Sequence, residues 1–126
     1  MNKTGMTLLL VGAVLFSVLV AVFSIVIVLF NYPSGIGTEN ENIVLATKLG
    51  KPQLIPVNEI SIMEEVPEGL LSHLIRTNGT STGKVDYGYF KSTKTGQKMF
   101  LYLTGKEEKV CFEYNGLLYV VDDWRD

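Results

Sequence analysis

Two patterns of apolar residues divide this chain. An unbroken apolar run extends from Thr7 to Tyr32, whereas most later apolar residues alternate with polar ones. The run contains no charged residue, and the nearest charges are Lys3 before it and Glu39 after it. At about 1.5 Å of rise per helical residue, such a run crosses a hydrocarbon core of roughly 30 Å. We therefore predict an N-terminal flank and one transmembrane α-helix in residues 1–32.

A cleaved signal peptide is the alternative interpretation of this run. The apolar part of a signal peptide spans about 7–15 residues and ends in a small-residue cleavage site. This run is longer and ends in Phe30-Asn31-Tyr32-Pro33, which favours a signal anchor. Lys3 on a short N-terminal flank favours an N terminus inside the cell. We therefore expect a single-pass protein of the cell membrane with its soluble part on the outer side.

The residues after the helix are rich in glycine and proline. Pro33, Gly35 and Gly37 are typical of a helix end followed by flexible chain. We therefore predict a flexible tether at 33–42, followed by a small mainly-β domain at 43–126.

Alternation of apolar and polar residues predicts the strands of this domain. They are expected at 43–47, 85–91, 98–104, 109–114 and 117–121, the last four as an antiparallel meander. Asn115-Gly116 is a strong signal for a tight hairpin turn, because both positions of a type I′ turn need positive φ.

Other segments of the domain are less regular. Residues 53–62 alternate loosely around Pro56, which suits an edge or a bend. Residues 70–75 fit either a helical turn or a strand, since short apolar runs do not decide. Asn78 to Gly83 is polar and glycine-bearing, and is predicted to be a loop.

Composition excludes several classes of function. The chain has 126 residues, with 11 Lys and Arg against 13 Asp and Glu. This balance argues against a nucleic-acid partner, which needs a concentrated basic face. The one cysteine excludes an internal disulfide and a thiolate zinc cluster.

Candidate catalytic and metal-binding residues are few. His73 is the only histidine, and Cys111 lies between apolar residues of a predicted strand. Glu64, Glu65 and Glu68 form an acidic turn, but their spacing matches no calcium loop. We therefore expect no catalytic, metal or cofactor site, and no enzyme activity.

Lysines and aromatic residues offer binding surfaces instead. Lys84, Lys91, Lys94 and Lys98 surround one predicted hairpin, where they could contact an anionic ligand or a lipid headgroup. Lysines also occupy strand edges and turns for solubility alone.

Alternation in the strand at 98–104 sorts its apolar residues onto two faces. Met99, Leu101 and Leu103 share one face and are the expected core. Phe100 and Tyr102 share the other face, which is either an interaction surface or a site of cross-strand pairing.

The order of several motifs resembles the membrane-anchored, largely uncharacterised bacterial pleckstrin-homology-like (PH-like) domains. The resemblance covers about residues 43–123. It is carried by an Arg-Thr-Asn-Gly turn, a second glycine, a Gly-x-Phe strand opening and a Leu-Tyr-Leu-Thr strand end. In this chain the residues are Arg76, Asn78, Gly79, Gly83, Gly88, Phe90 and Leu101-Tyr102-Leu103-Thr104.

The resemblance implies a curved antiparallel sheet, or partly open barrel, closed by a C-terminal helix. Here that helix is short or absent, so either the cap is missing or Trp124 plugs the end alone. PH-like folds mostly bind lipids or proteins, which implies a non-catalytic binding or scaffolding role at the membrane with a protein partner.

The alternative function is that of a structural accessory subunit in a larger membrane complex. Small residues at helical spacing would then form a packing stripe on the transmembrane helix. These residues are Ala13, Ser17, Ala21 and Ser24.

Overall fold

The computed structural model describes residues 3–63, 65–67 and 69–125. The long helix α1 spans Lys3–Phe30, with residues 6–25 exposed all around it, and a short 3-10 helix spans Val57–Glu59. Helix α1 is long and apolar enough to cross a membrane, as the apolar run predicts. At about 1.5 Å per residue it measures roughly 42 Å, which leaves room for tilt in a core of about 30 Å.

Within the described residues, nine strands follow α1 and form two sheets. The small sheet holds β1 (Pro33–Glu39), β2 (Asn42–Thr47) and β3 (Gln53–Pro56), antiparallel and in that order. The large sheet has the order β4-β8-β9-β7-β6-β5. Its strands are β4 (Ser61–Met63), β5 (Leu74–Thr82), β6 (Val85–Ser92), β7 (Lys98–Leu103), β8 (Lys109–Tyr114) and β9 (Leu117–Asp122). The combination of one apolar helix and a mainly-β domain is the predicted fold class.

Residues 33–42 differ from the predicted flexible tether. They form β1 and the tight turn Asn40-Glu41, and β1 pairs with β2 from Pro33↔Thr47 to Glu39↔Asn42. The small sheet therefore begins three residues after α1 ends. Glycine content suggested flexibility, but β1 is held as an edge strand through those backbone N–H and C=O groups that face β2.

The last four strands also differ from the predicted meander. β9 inserts between β8 and β7 and runs parallel to β7, with Leu101 opposite Val120. The sheet is therefore mixed rather than purely antiparallel. The predicted β8–β9 hairpin is confirmed, because Asn115 and Gly116 both have positive φ (52° and 77°) between paired strands.

The predicted loop at Asn78–Gly83 is largely strand. β5 continues to Thr82 and pairs with β6 through Thr82↔Val85, so the turn is only Gly83-Lys84. Gly83 has a φ of +57°, which suits the first position of a two-residue hairpin turn. The ambiguous residues 70–75 divide into a turn and the start of β5 at Leu74.

Both faces of the large sheet are buried, so the core is wider than the predicted aliphatic face. Met99, Leu101 and Leu103 belong to a cluster that is covered by Val66, Leu70, Leu71 and Leu74. Phe100 and Tyr102 pack under the small sheet, against Ile43, Leu45 and Ile55. The aromatic face is therefore mostly interior rather than half-exposed.

The end of β9 leads into a short irregular segment. Residues 123–125 have no helical structure, and the Trp124 ring packs edge-on against Phe112 with their centroids 5.9 Å apart. Trp124 therefore covers the Phe112 end of the aromatic core.

Candidate binding groove at the β6–β7 turn

Strand register brings two of the predicted lysines together. Lys91 on β6 lies directly opposite Lys98 on β7, and both side chains are exposed. Like charges directly opposite each other destabilise a sheet. Neither lysine forms an ion pair with any residue that the structure describes. The end of this hairpin therefore carries an uncompensated positive charge.

A well-bonded turn places a third lysine at the same end. Ser92 is buried, and its Oγ accepts hydrogen bonds from the N–H groups of Lys94 (3.3 Å) and Thr95 (3.2 Å). The Gly96 N–H also donates to the Ser92 carbonyl at 3.0 Å. These bonds fix residues 93–97, so Lys94 projects from a defined turn between Lys91 and Lys98.

A groove of about 370 Å³ adjoins the lysine pair. Its lining residues are Thr77, Asn78, Tyr89, Phe90, Lys91, Lys98 and Leu117. Tyr89 is 46% exposed, although its ring packs edge-on against buried Phe100 at 5.2 Å. This is where the aromatic face extends beyond the cover of the small sheet. An exposed aromatic ring beside two cations suits a ligand that has both an apolar and an anionic part.

Two glycines hold β5 and β6 close together, next to Asn78 and Tyr89 of the groove lining. Gly79 and Gly88 face each other across β5 and β6, with φ values of +140° and +117°. A Cβ on Gly79 would lie 2.0 Å from the Tyr87 carbonyl oxygen, and one on Gly88 would lie 2.2 Å from that of Asn78. Only glycine allows this approach of the two backbones.

A register shift between Arg76 and Asn78 accompanies the glycine pair. The Thr77 hydroxyl donates to the Tyr89 carbonyl at 3.0 Å, so a side chain replaces a backbone partner there. The irregularity therefore lies on β5, beside the strand that holds Gly88. The shift disturbs β5 as an edge strand, which discourages pairing with a further strand.

The remaining predicted residues lie apart from the groove or only border it. Lys84 occupies the β5–β6 turn, near Gly105, seven residues from Lys91 along β6. At about 3.3 Å per residue this separates the two lysines by roughly 20 Å. Arg76 is exposed and pairs with Phe90, which belongs mainly to the aliphatic core.

Sequence analysis missed the buried polar groups that join strands. The Tyr102 hydroxyl accepts from the Gly35 N–H at 2.8 Å, and its one proton points to the carbonyl of Gly35 or Ala46. This hydroxyl links the small sheet to the large one, and burial raises its pKa. Asp122 accepts from the Thr104 N–H and hydroxyl, joining the end of β9 to the end of β7. Neither burial was expected, because Tyr102 was placed on the face opposite the expected core and Asp122 lies just beyond the last predicted strand.

The surroundings of His73 and Cys111 indicate a structural role for both residues. His73 has a positive φ of 55°, and its carbonyl accepts from both the N–H and the hydroxyl of Thr93. Cys111 is buried, which raises the pKa of its thiol and keeps it protonated. Glu64 and Glu68 lie outside the described residues. Within the described part, no three His, Cys, Asp or Glu side chains are grouped as a metal site.

The predicted helix stripe finds no partner within the described chain. Ala13, Ser17, Ala21 and Ser24 are exposed. The hydroxyls of Ser17 and Ser24 donate to the carbonyls of Ala13 (2.9 Å) and Val20 (2.8 Å), one turn back. Their polar atoms are therefore satisfied within the helix, which suits an apolar surrounding.

A second depression, of about 550 Å³, lies between the β1–β2 turn and Trp124. It is lined by Glu39, Glu41, Asn40 and Asn58 among others, and is open to solvent. Its acidic side chains form no metal-binding group of three within the described residues, and they offer no positive surface to an anion. The β6–β7 groove is therefore the stronger candidate.

Comparison with known proteins adds no relative. No family model, curated protein or solved structure matches this chain. Its function has to be argued from its own residues.

Proposed function

We propose that this chain is a single-pass membrane protein whose β domain binds an acidic segment of a partner protein, without catalysis. The observation that carries the proposal is the Lys91–Lys98 couple, which has no ion-pair partner among the described residues and lies beside exposed Tyr89. Placing like charges opposite each other weakens the sheet, and an anionic ligand would remove that penalty. Tyrosine at the groove supplies a large contact area, as at many protein interfaces.

The PH-like resemblance agrees with a binding role but adds no residue to it. Of the four lysines that the sequence suggested, the proposed site includes Lys91, Lys94 and Lys98, which lie at the same end of the β6–β7 hairpin. Lys84 lies roughly 20 Å away by strand length and serves as a charge-matched control. In this proposal the domain faces the outer side of the membrane, because Lys3 lies on the short N-terminal flank of the apolar run and favours an N terminus inside the cell. Reporter fusions to each terminus test that orientation.

Photo-cross-linking in native cells tests the groove. A photoreactive residue at Ile75 lies opposite Lys91 in the strand register, and one at Leu54 on β3 is its control, since both side chains are 55% exposed. We expect an adduct from Ile75 only, lost with Lys91→Glu and Lys98→Glu together and retained with Lys84→Glu. Equal adducts from both positions, or an adduct that survives the double reversal, would contradict the proposal.

The alternative function, an accessory subunit held through α1, is favoured by the exposure of the helix on all sides. In that case Ala13→Leu or Ser17→Leu releases a co-purifying membrane partner, because a bulky side chain separates closely packed helices. The lysine reversals leave that partner bound. The two functions are therefore distinguished by which set of variants releases the partner.

A further inference from the structure

The turn between β2 and β3 lies against the end of α1. The Leu49 N–H donates to the carbonyl of Leu29 at 3.1 Å, and the Lys48 N–H donates to that of Tyr32 at 2.9 Å. The last carbonyls of a helix have no partner within it, so a segment distant in sequence satisfies one of them here. We call Lys48-Leu49-Gly50-Lys51 the helix-end turn.

Gly50 allows the turn to lie flat on the last aromatic ring of the helix. A Cβ on Gly50 would lie 2.8 Å from Cδ1 and 3.0 Å from Cε1 of Phe30, and Gly50 has a φ of +92°. The backbone of the helix-end turn therefore contacts the Phe30 ring directly. The Thr47 hydroxyl donates to the Leu49 carbonyl and closes the turn on itself.

The side chains of the turn point away from the protein core. Lys48 and Lys51 are exposed, and between them Leu49 is a large apolar side chain that is 38% exposed. The last turn of α1, residues 27–30, is entirely apolar, so hydrocarbon reaches the level of Phe30. An apolar side chain flanked by two lysines at that level matches the boundary between acyl chains and headgroups.

We propose that the helix-end turn is a binding site for anionic phospholipid. Leu49 enters the boundary of the acyl chains, and the ammonium groups of Lys48 and Lys51 bind headgroup phosphates. The lysines predicted to contact headgroups are Lys84, Lys91, Lys94 and Lys98, and the three of them at the β6–β7 turn bind the partner protein in the proposed function. This inference rests on the proposed membrane anchor, because it needs α1 to end at a bilayer surface.

The chemistry of the site separates a lipid from a free anion. Two exposed lysines alone would also attract soluble phosphate, whereas Leu49 contributes only if acyl chains are present. The variants therefore fall into two groups: Lys48→Gln with Lys51→Gln removes the charge, and Leu49→Ser removes the apolar contact. Lys91→Gln with Lys98→Gln removes the same charge elsewhere on the domain.

The test uses full-length protein in neutral detergent. Resistance of the protein to carbonate extraction from membranes first establishes that α1 is integral; its failure would overturn the anchor itself, independently of the lipid site. Native mass spectrometry then measures the dissociation constant of phosphatidylglycerol, with phosphatidylcholine and inorganic phosphate as comparison ligands. Thermal unfolding of each variant, followed by Trp124 fluorescence, shows whether the fold is intact.

We expect phosphatidylglycerol to bind the Lys48 and Lys51 double variant about thirtyfold more weakly, since each lysine near an anionic surface contributes roughly fivefold. Leu49→Ser weakens it severalfold, and the Lys91 and Lys98 double variant binds as the wild type does. Equal loss from both lysine pairs, unchanged binding in the Lys48 and Lys51 variant, or competition by inorganic phosphate at equal concentration would overturn the proposal.

Discussion

The two lysine-bearing turns of the domain carry similar charges and are held in different ways. The helix-end turn is bonded to another element, through Leu29 and Tyr32, and its lysines flank an exposed leucine. The β6–β7 turn is bonded to itself, through Ser92, and its lysines face each other beside Tyr89. The first arrangement fixes the domain relative to α1, and the second leaves an uncompensated charge open to a ligand. Position in the fold, rather than charge content, distinguishes the two surfaces.

Gly50 allows the helix-end turn to contact Phe30, whereas Gly88 allows β5 and β6 to approach each other. Gly88→Ala should have the largest effect on stability. The new Cβ would overlap the Asn78 carbonyl, so β5 must move away from β6, which displaces Asn78 in the groove lining. We expect the free energy of unfolding to fall by about 3 kcal/mol. Thermal unfolding of the full-length protein in neutral detergent measures it.

Gly83→Ala is the matched control for this substitution. Gly83 also has a positive φ, but nothing lies within 4 Å of its added Cβ. Its effect should be limited to backbone strain of about 1 kcal/mol. Equal losses for Gly83→Ala and Gly88→Ala would show that the close approach of β5 and β6 is not what requires glycine.

Tyr102→Phe should have the next largest effect, because it removes the hydroxyl that joins the two sheets. The Gly35 N–H and one carbonyl would lose their buried partner, which costs about 2 kcal/mol. Tyr119→Phe is the control, since the Tyr119 hydroxyl accepts one longer bond, 3.2 Å, from the Gln53 amide. Chemical denaturation of both variants should rank Tyr102→Phe as the more destabilised; the reverse order would contradict this link between the sheets.

High pH should weaken the same connection. Burial raises the pKa of Tyr102, and also those of Tyr87 and Tyr119, above the ordinary value of 10.0. The unfolded chain therefore loses these protons at lower pH than the folded one. The resulting stability is present in full below about pH 10 and declines as the pH rises through the folded values. Unfolding followed from pH 8 to 12 should show that decline, and Tyr102→Phe should make it shallower.

The pattern of apolar and polar residues predicted some of these strands and missed others. Strands β6 to β9 were located correctly because alternation and the Asn115-Gly116 turn are local signals. β1 was missed because Pro33, Gly35 and Gly37 resemble a linker, and only pairing with β2 makes a strand of them. The parallel β7–β9 pair was missed because chain order suggests that β7 and β8 are neighbours. β5 was missed because Gly79 has its role only opposite Gly88.

The candidate site was predictable only in part, because local patterns do not show which residues strand pairing brings together. The lysine cluster was visible in the sequence, but only the register shows that Lys91 faces Lys98 and that Lys84 lies at the far end of β6. The contact between Gly50 and Phe30 joins residues that no local pattern connects. Tyr102 was placed on the face opposite the expected core, as part of an interaction surface or of cross-strand pairing, because a covering sheet was not expected.

The smallest predicted effect is a gain in the free energy of unfolding, whereas most substitutions lower it. Lys98→Glu replaces a like-charged pair with Lys91 by an opposite pair, and should stabilise the domain by about 0.5 kcal/mol. The same change should remove the cross-link from Ile75. Lys84→Glu should change neither quantity. Loss of stability in Lys98→Glu would show that the facing lysines carry no repulsive penalty.

Hydrogen exchange of the full-length protein in lipid nanodiscs tests the central claim, that the β domain begins at the helix end without a tether. We expect the β1 amides that face β2, together with those of Lys48 and Leu49, to exchange as slowly as the amides of β2, because both sets are held in the same bonded unit. Exchange of these amides in residues 34–39 and 48–49 at the rate of an unstructured chain, with β2 still protected, would contradict this expectation.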